Sequence, residues 1–442
     1  MRSKRVNVHI VYGSLLAIVL LSGCAHNKDV GLIVTPVVYT HTDIDPFDHT
    51  PVDLQTTEVE VFYATNRKRK GSMNKPVYTN GMDHVLHLGL CTVQFGDSSL
   101  TWKQLHAASL VAEREQVIPV TVASSTEYGV LNTNVTSKPL KHPLAETHTI
   151  GDATFVAAIN DRLRKASNKV INIYMHGYKV PFTHAPELAS QLHHFANRQG
   201  VMVGFDWACR QKDITYFSDE RRARRSAKGL VEFMSFLALN TDAKRINIIS
   251  WSAGAPILSR ALRELRNRYP ELDHQGLVTK LKLHTAIFAA SDVDFRQFVG
   301  DLKHFSDLPE RLIITVCYED PQLKLSRRVH GGHSRLGSLN FTELVEPEKA
   351  SLKENLHRIE FVYISYDQGA IKKTNTATGH HYFFRNPWVL TDVLASMYLD
   401  LPASKRGLQQ IEGYSSVWYF PDDYPQRSAA SIYKIDNQRD MK

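Results

Sequence analysis

Between the apolar stretch Arg245 to Trp251 and a run with helical spacing at Ile257, Ala261 and Leu265 stands the pentapeptide Ser250-Trp251-Ser252-Ala253-Gly254. A serine hydroxyl is a weak nucleophile until a tight strand-to-helix turn lifts it clear of a sheet and a base takes its proton. Such a turn needs small residues on both sides, because the chain passes close to itself. Gly254 supplies one; the position two before the serine, where glycine is usual, holds Ser250, which is small enough to be accommodated. The chemistry implied is attack on an acyl carbonyl, with negative charge developing on its oxygen. Two N–H groups must meet that charge: that of Ala253, next after the nucleophile, and one from a loop after an earlier strand. His176-Gly177-Tyr178 closes the apolar run Val170 to Met175, and Gly177 permits a close backbone approach. The Tyr178 N–H is therefore the expected second donor. His176, lying in a loop that precedes the serine, is read as structural rather than as the base.

The acid and the base should follow the serine in that order, each from the end of a later strand. Asp320 stands after the strand expected over 311–319, and His380 lies in the loop Thr378-Gly379-His380-His381-Tyr382. Asp292 and Asp294, after a strand expected over 281–290, remain alternatives for the carboxylate, and His381 is the neighbour of the favoured histidine. His330, His333, His380 and His381 invite a metal, but no carboxylate or thiolate completes a ligand pattern with them, so neither metal nor other cofactor is expected. Asp206 and Trp207 close another strand and either line a pocket or sit in an exposed turn.

The elements that must position these residues follow a regular order. From about residue 169 the chain alternates apolar strand, turn and amphipathic helix, which implies a mostly parallel sheet with helices on both faces. Strands are expected over 170–175, 201–207, 245–251, 281–290, 311–319 and 356–366. Helices carry Leu188, Leu192 and Phe195, then Leu230, Phe233, Met234 and Leu237, then Ile257, Ala261 and Leu265. Gly200 is read as the end of the first of these. Asn386 followed by Pro387 starts the last clear helix. Before this region, Glu58 to Ala64 alternates polar and apolar residues, and 85–95 reads as a strand after a turn at Asn80-Gly81, so 56–165 is the β-rich first part of a domain spanning 56–400. Residues 24–55, with Pro36, Pro46 and Pro51, read as a tether, and 401–442 as a tail in which Trp418, Tyr419, Phe420 and Tyr424 form an aromatic strap on the domain.

Arg2, Lys4 and Arg5 precede an apolar run ending in Leu21-Ser22-Gly23-Cys24. This resembles a lipoprotein signal peptide over 1–23, which implies cleavage before Cys24, acylation of its thiol and stable membrane anchoring by several acyl chains. Ala25, rather than Asp, implies the outer membrane. The formal charge of +8 includes those three leader cations, so the mature chain is only mildly basic. No aromatic and basic residues interleave, so nucleic acid is not an expected partner. The run Arg221-Arg222-Ala223-Arg224-Arg225 reads as a solvated helix face, with anionic headgroups as the alternative. Four cysteines, Cys24, Cys91, Cys209 and Cys317, argue against a disulfide scaffold.

Taken together, His176-Gly177-Tyr178, Ser252-Ala253-Gly254, Asp292-Val293-Asp294, the run Asp320 to Ser326, His330-Gly331-Gly332 and Gly379-His380 resemble the bacterial family of alpha/beta hydrolases of unknown function. Phe62-Tyr63-Ala64-Thr65-Asn66-Arg67 resembles that family's N-terminal strand motif, and the similarity spans about 60 to 400. The resemblance implies the α/β-hydrolase fold, with nucleophile Ser252, acid Asp320 and base His380, and it implies no substrate. Ser250 and His381 stand where the family more often has other small residues. Two function classes follow: an envelope serine hydrolase of esterase or lipase type, acting on an ester, thioester or amide of a small molecule or lipid, and a non-catalytic envelope lipoprotein using the fold for binding or assembly. Fold alone does not separate them. The order Ser, Asp, His favours the hydrolase.

Overall fold

The computed structural model describes residues 31–42, 44–48, 50–132, 150–209, 220–341, 344, 346–355, 358–365 and 376–439. Its strands are β1 (Glu58–Ser72), β2 (Lys75–Phe95), β3 (Val120–Asn132), β4 (Val170–Met175), β5 (Val201–Asp206), β6 (Arg245–Trp251), β7 (Leu283–Ala289), β8 (Arg311–Val316), β9 (Ile359–Tyr363), β10 (Gln409–Gln410) and β11 (Val417–Tyr419). They form one sheet in the order β10-β11-β9-β8-β7-β6-β4-β5-β1-β2-β3. Every pairing from β11 across to β1 is parallel, while β2, β3 and β10 run antiparallel to their neighbours. This is the α/β-hydrolase architecture expected from the alternation of strands and helices.

β4 and β5 are buried at every position. That follows from helices on both faces, and it is why these strands read as unbroken apolar runs. Two apolar cores result. One packs the helices Ile150–Lys165, Glu220–Asn240, Ala255–Asn267 and Phe295–Phe305 against one face, and the other packs His184–Phe195 and Pro387–Met397 against the opposite face. The last helix starts as its sequence demands: the Asn386 side chain accepts from the N–H groups of Trp388 and Val389. Because β4 leads to β5 on one side and β6 lies on its other side, the strand order reverses at β4. The crevice at a reversal of this kind is where α/β sheets gather functional groups, and the loops that begin at His176 and Ser252 leave β4 and β6 there.

Four sequence readings change. The hairpin between β1 and β2 turns at Met73-Asn74, just past the pair Ser72 and Lys75, not at Asn80-Gly81, which lies within β2 beside an irregular stretch of the ladder. The helix His184–Phe195 ends five residues before Gly200; that glycine (φ 74°) enters β5, where a Cβ would sit 2.5 Å from the Val170 carbonyl. The described part of the expected tether is packed rather than free. Leu32, Ile33, Val37, Val38 and Phe47 are buried, Ile33 N–H donates to Gln191 Oε1 at 2.6 Å, and Phe47 sits among the rings of Trp102, His106 and His194. Finally, the segment after 400 is part of the domain. β11 adds to β9, Phe420 and Tyr424 are buried, and Arg406, fully enclosed, ties the segment to Asp392 and Glu360. A chain ending at 400 would leave the β9 edge unpaired and the buried Asp392 without the cation Arg406.

Candidate active site

β6 carries the chain to the edge of the sheet, and the next residue, Ser252, has φ 53°. A β-substituted residue enters the left-handed region at a cost of about 1–3 kcal/mol, so its neighbours must hold it there. They do so from three sides. Ser252–Gly254 forms a single tight turn before the helix Ala255–Asn267, the Ser252 carbonyl accepts from Asp292 N–H at 3.2 Å, and Gly254 lies against the loop after β4. A Cβ on Gly254 would stand 2.9 Å from the His176 carbonyl, which explains the glycine. Ser250 is accommodated because its buried hydroxyl faces the Ile287 carbonyl at 3.3 Å.

Ser252 Oγ lies 2.7 Å from His380 Nε2, and His380 Nδ1 lies 2.7 Å from Asp320 Oδ2. The structure thus brings the three residues into one hydrogen-bonded chain, nearly closed to solvent: Ser252 is 9% exposed, His380 3% and Asp320 0%. A carboxylate only accepts, so the neutral imidazole carries its proton on Nδ1 and leaves the Nε2 lone pair for the serine hydroxyl. Asp320 is fixed by its own location. It is the N-cap of the helix Pro321–Val329, and its Oδ1 accepts from Gln322 N–H at 2.9 Å and Leu323 N–H at 3.1 Å. Burial pushes the His380 pKa down, but the charge and hydrogen bond of Asp320, with the charge of Asp292, outweigh it and hold the imidazole above the ordinary histidine value.

The alternatives have other partners. Asp292 Oδ1 accepts from Arg335 Nε and Ser326 Oγ, each at 2.6 Å, and Asp294 caps the helix Phe295–Phe305. His381 packs its ring on Trp251 at 5.2 Å; burial, then the charges of His380 and Arg385, push its pKa down to about 4. His330 Nδ1 lies 2.8 Å from the Ser326 carbonyl. Among the described residues no group of three or more His, Cys, Asp or Glu is placed to hold a metal ion.

The loop after β4 lies directly against the serine. A Cβ on Gly177 would stand 2.9 Å from Trp251 Cε3 and 3.1 Å from Ser252 Cβ, so Tyr178 and Ala253 flank the nucleophile from two converging segments. His176 is fully buried with its Nε2 2.7 Å from Asp206 Oδ1, and it is the His380 ring that meets the serine hydroxyl. Asp206 and Trp207, expected as pocket wall or turn, are both enclosed. Sequence reasoning missed Arg67, whose guanidinium is buried against Asp206 at 2.6 Å; the only signal was its place in the Phe62 to Arg67 segment. Cys24 lies outside the described residues. Among the described residues no helix is long and apolar enough to cross a membrane.

A family model described as "Alpha/beta hydrolase of unknown function" matches residues 152–396. No curated protein matches. Solved structures similar to this chain include an inhibited esterase B from Lactobacillus rhamnosis, 10% identical over 62% of this chain and 81% of that one, with a TM-score of 0.29. Another is a hydrolase from Oleispira antarctica, 12% identical over 63% of this chain and 97% of that one, with a TM-score of 0.24.

Proposed function

We propose, from the premise that this chain belongs to the family of alpha/beta hydrolases of unknown function, that it is a serine hydrolase acting on carboxylic esters in the cell envelope. The observation that carries the reading is the chain Ser252 Oγ, His380, Asp320, with both contacts at 2.7 Å and the serine held at φ 53°. In the first step His380 Nε2 takes the hydroxyl proton as Oγ bonds to the acyl carbon, and the carbonyl oxygen becomes negative. The N–H groups of Ala253 and Tyr178 meet that charge. The protonated imidazole then gives its proton to the departing alkoxide as the ester C–O bond breaks, leaving an acyl-serine and an alcohol. Water, deprotonated by the same nitrogen, attacks the acyl carbon, and Ser252 departs with the proton, releasing the carboxylic acid.

The test is covalent labelling with a fluorophosphonate probe. Wild type is expected to label and Ser252→Ala to lose all labelling while keeping its circular dichroism spectrum. A wild type that is folded yet unlabelled would favour the non-catalytic reading. The leader, ending at Leu21-Ser22-Gly23-Cys24, supports anchoring of this domain to the outer membrane through an acylated Cys24. Cys24→Ser is expected to move the chain from the membrane fraction to the soluble one; unchanged fractionation and processing would sink the anchor.

A further inference from the structure

The segment Thr65-Asn66-Arg67 lies within β1, where its pairing with β5 ends at Thr65 and its ladder with β2 is irregular, and all three side chains reach the same place, the end of β5. Thr65 Oγ1 donates to the Asp206 carbonyl at 2.7 Å and lies 2.9 Å from its Oδ2. Asn66 Oδ1 accepts from Ala208 N–H at 2.8 Å. Arg67 donates to Asp206 through Nε at 2.6 Å and through one terminal nitrogen at 3.1 Å. Both charges are wholly enclosed. Burying an ion pair is costly unless its geometry is good and its remaining donors are used, and replacing such a pair by apolar groups is often neutral for stability. A buried pair of this kind is therefore weak evidence for a stabilising role. What it touches is more informative.

The pair holds the loop 176–180 at both ends. At the first end, Asp206 Oδ1 lies 2.7 Å from His176 Nε2, while Trp207 stacks on the His176 ring at 5.6 Å and donates its Nε1–H to the His176 carbonyl at 2.8 Å. At the other end, the same terminal nitrogen of Arg67 that reaches Asp206, Nη2, also donates to the Val180 carbonyl at 2.6 Å. Between these ends stand Gly177, pressed against Ser252, then Tyr178, then Lys179 at φ 60°. A non-glycine residue in the left-handed region relaxes unless its flanks are fixed. Here the flanks are His176 and Val180, and one guanidinium fixes the first through Asp206 and the second directly.

The geometry points to Arg67 as a positioning residue for the oxyanion-binding loop, acting through Asp206 and His176 to set the Tyr178 N–H against the charge that forms on the substrate. The inference rests on the serine-hydrolase reading above. It assigns a task to the Phe62 to Arg67 segment, which sits on the opposite side of β5 from the nucleophile strand.

The experiment is fluorophosphonate labelling of the full chain over a range of probe concentrations, resolving the maximal rate constant, the apparent probe affinity and the fraction of protein labelled. Since about 1 Å of misplacement costs on the order of 10²-fold, Arg67→Lys, which keeps the charge and loses the fork, is expected to lower the maximal rate constant about 10- to 100-fold. Probe affinity and the pH at which labelling falls on the acid side should stay as in wild type, because the latter belongs to His380. Should the lysine variant not fold, Thr65→Val removes one Asp206 contact and is expected to give a smaller fall in the same rate constant. A purely structural pair would lower the melting temperature and the labelled fraction while leaving the rate constant of that fraction unchanged, and this overturns the inference. An unlabelled wild type overturns the hydrolase reading itself, a different result from labelled variants that react at the wild-type rate.

Discussion

His380→Ala is expected to lower turnover of an activated ester such as p-nitrophenyl butyrate by about 10⁴- to 10⁶-fold, the range seen when one member of a concerted triad is removed. The size follows from what is left. Among the described residues Ser252 Oγ has one base within hydrogen-bonding distance, and the adjacent His381 does not substitute for it, since its ring lies on Trp251. The wild-type pH profile reports the same group. Attack requires the neutral imidazole, and burial, which favours that form, is outweighed by Asp320 and Asp292, so the His380 pKa stands above the usual value. The rate should therefore rise with pH through that raised value and fall as pH drops below it, while the residual rate of His380→Ala should show no such acid limb. A variant retaining a tenth of the activity, or an acid limb unchanged without His380, would remove this residue from the mechanism.

What the sequence made legible and what it hid have physical causes. β4 and β6 are buried on both faces, so their composition announces them, and Ser252 stands out because a strand, a small-residue turn and a helix occur in direct succession. Asp320 was visible at a strand end, and Asn386-Pro387 through local capping chemistry. Local signals fail where a structure depends on distant chain. Leu32, Ile33 and Val37 are too few and too interrupted by Thr35 and Pro36 to show a period, yet all three are buried, Ile33 donating to Gln191, 158 positions away. The same holds for 401–439, whose short strands exist only because β9 offers an edge. Arg67 was hidden for a related reason. An arginine just past the alternating stretch Glu58 to Ala64 carries no periodic sign of burial, and only the pairing of β1 with β5 reveals that Asp206 awaits it.

The choice between Asp320 and Asp292, open in the sequence, gives the second large effect. Asp320→Asn is expected to lower turnover by about 10³- to 10⁴-fold, with probe affinity little changed. Oδ1 of Asp320 already accepts from Gln322 and Leu323 N–H, so an asparagine must keep its carbonyl oxygen on those donors. Its amide NH₂ then faces His380 Nδ1. Two donors do not face each other, so the imidazole moves its proton to Nε2, the nitrogen that must take the proton of Ser252. The variant folds with its helix cap intact and its base in the wrong tautomer. Asp292→Asn acts differently. It weakens the bond to Arg335 and deprives that buried guanidinium of its counter-charge, a loss that costs up to about 3–5 kcal/mol when a buried pair is broken. Its backbone N–H still holds the Ser252 carbonyl, and His380 keeps its partner. The expected result is a lower denaturation midpoint, turnover within about tenfold of wild type, and an acid limb moved to lower pH, because one of the charges that raised the His380 pKa is gone. Equal loss of turnover in the two variants, with both folded, would mean that the carboxylate seen on His380 Nδ1 is not what sets its tautomer during the reaction.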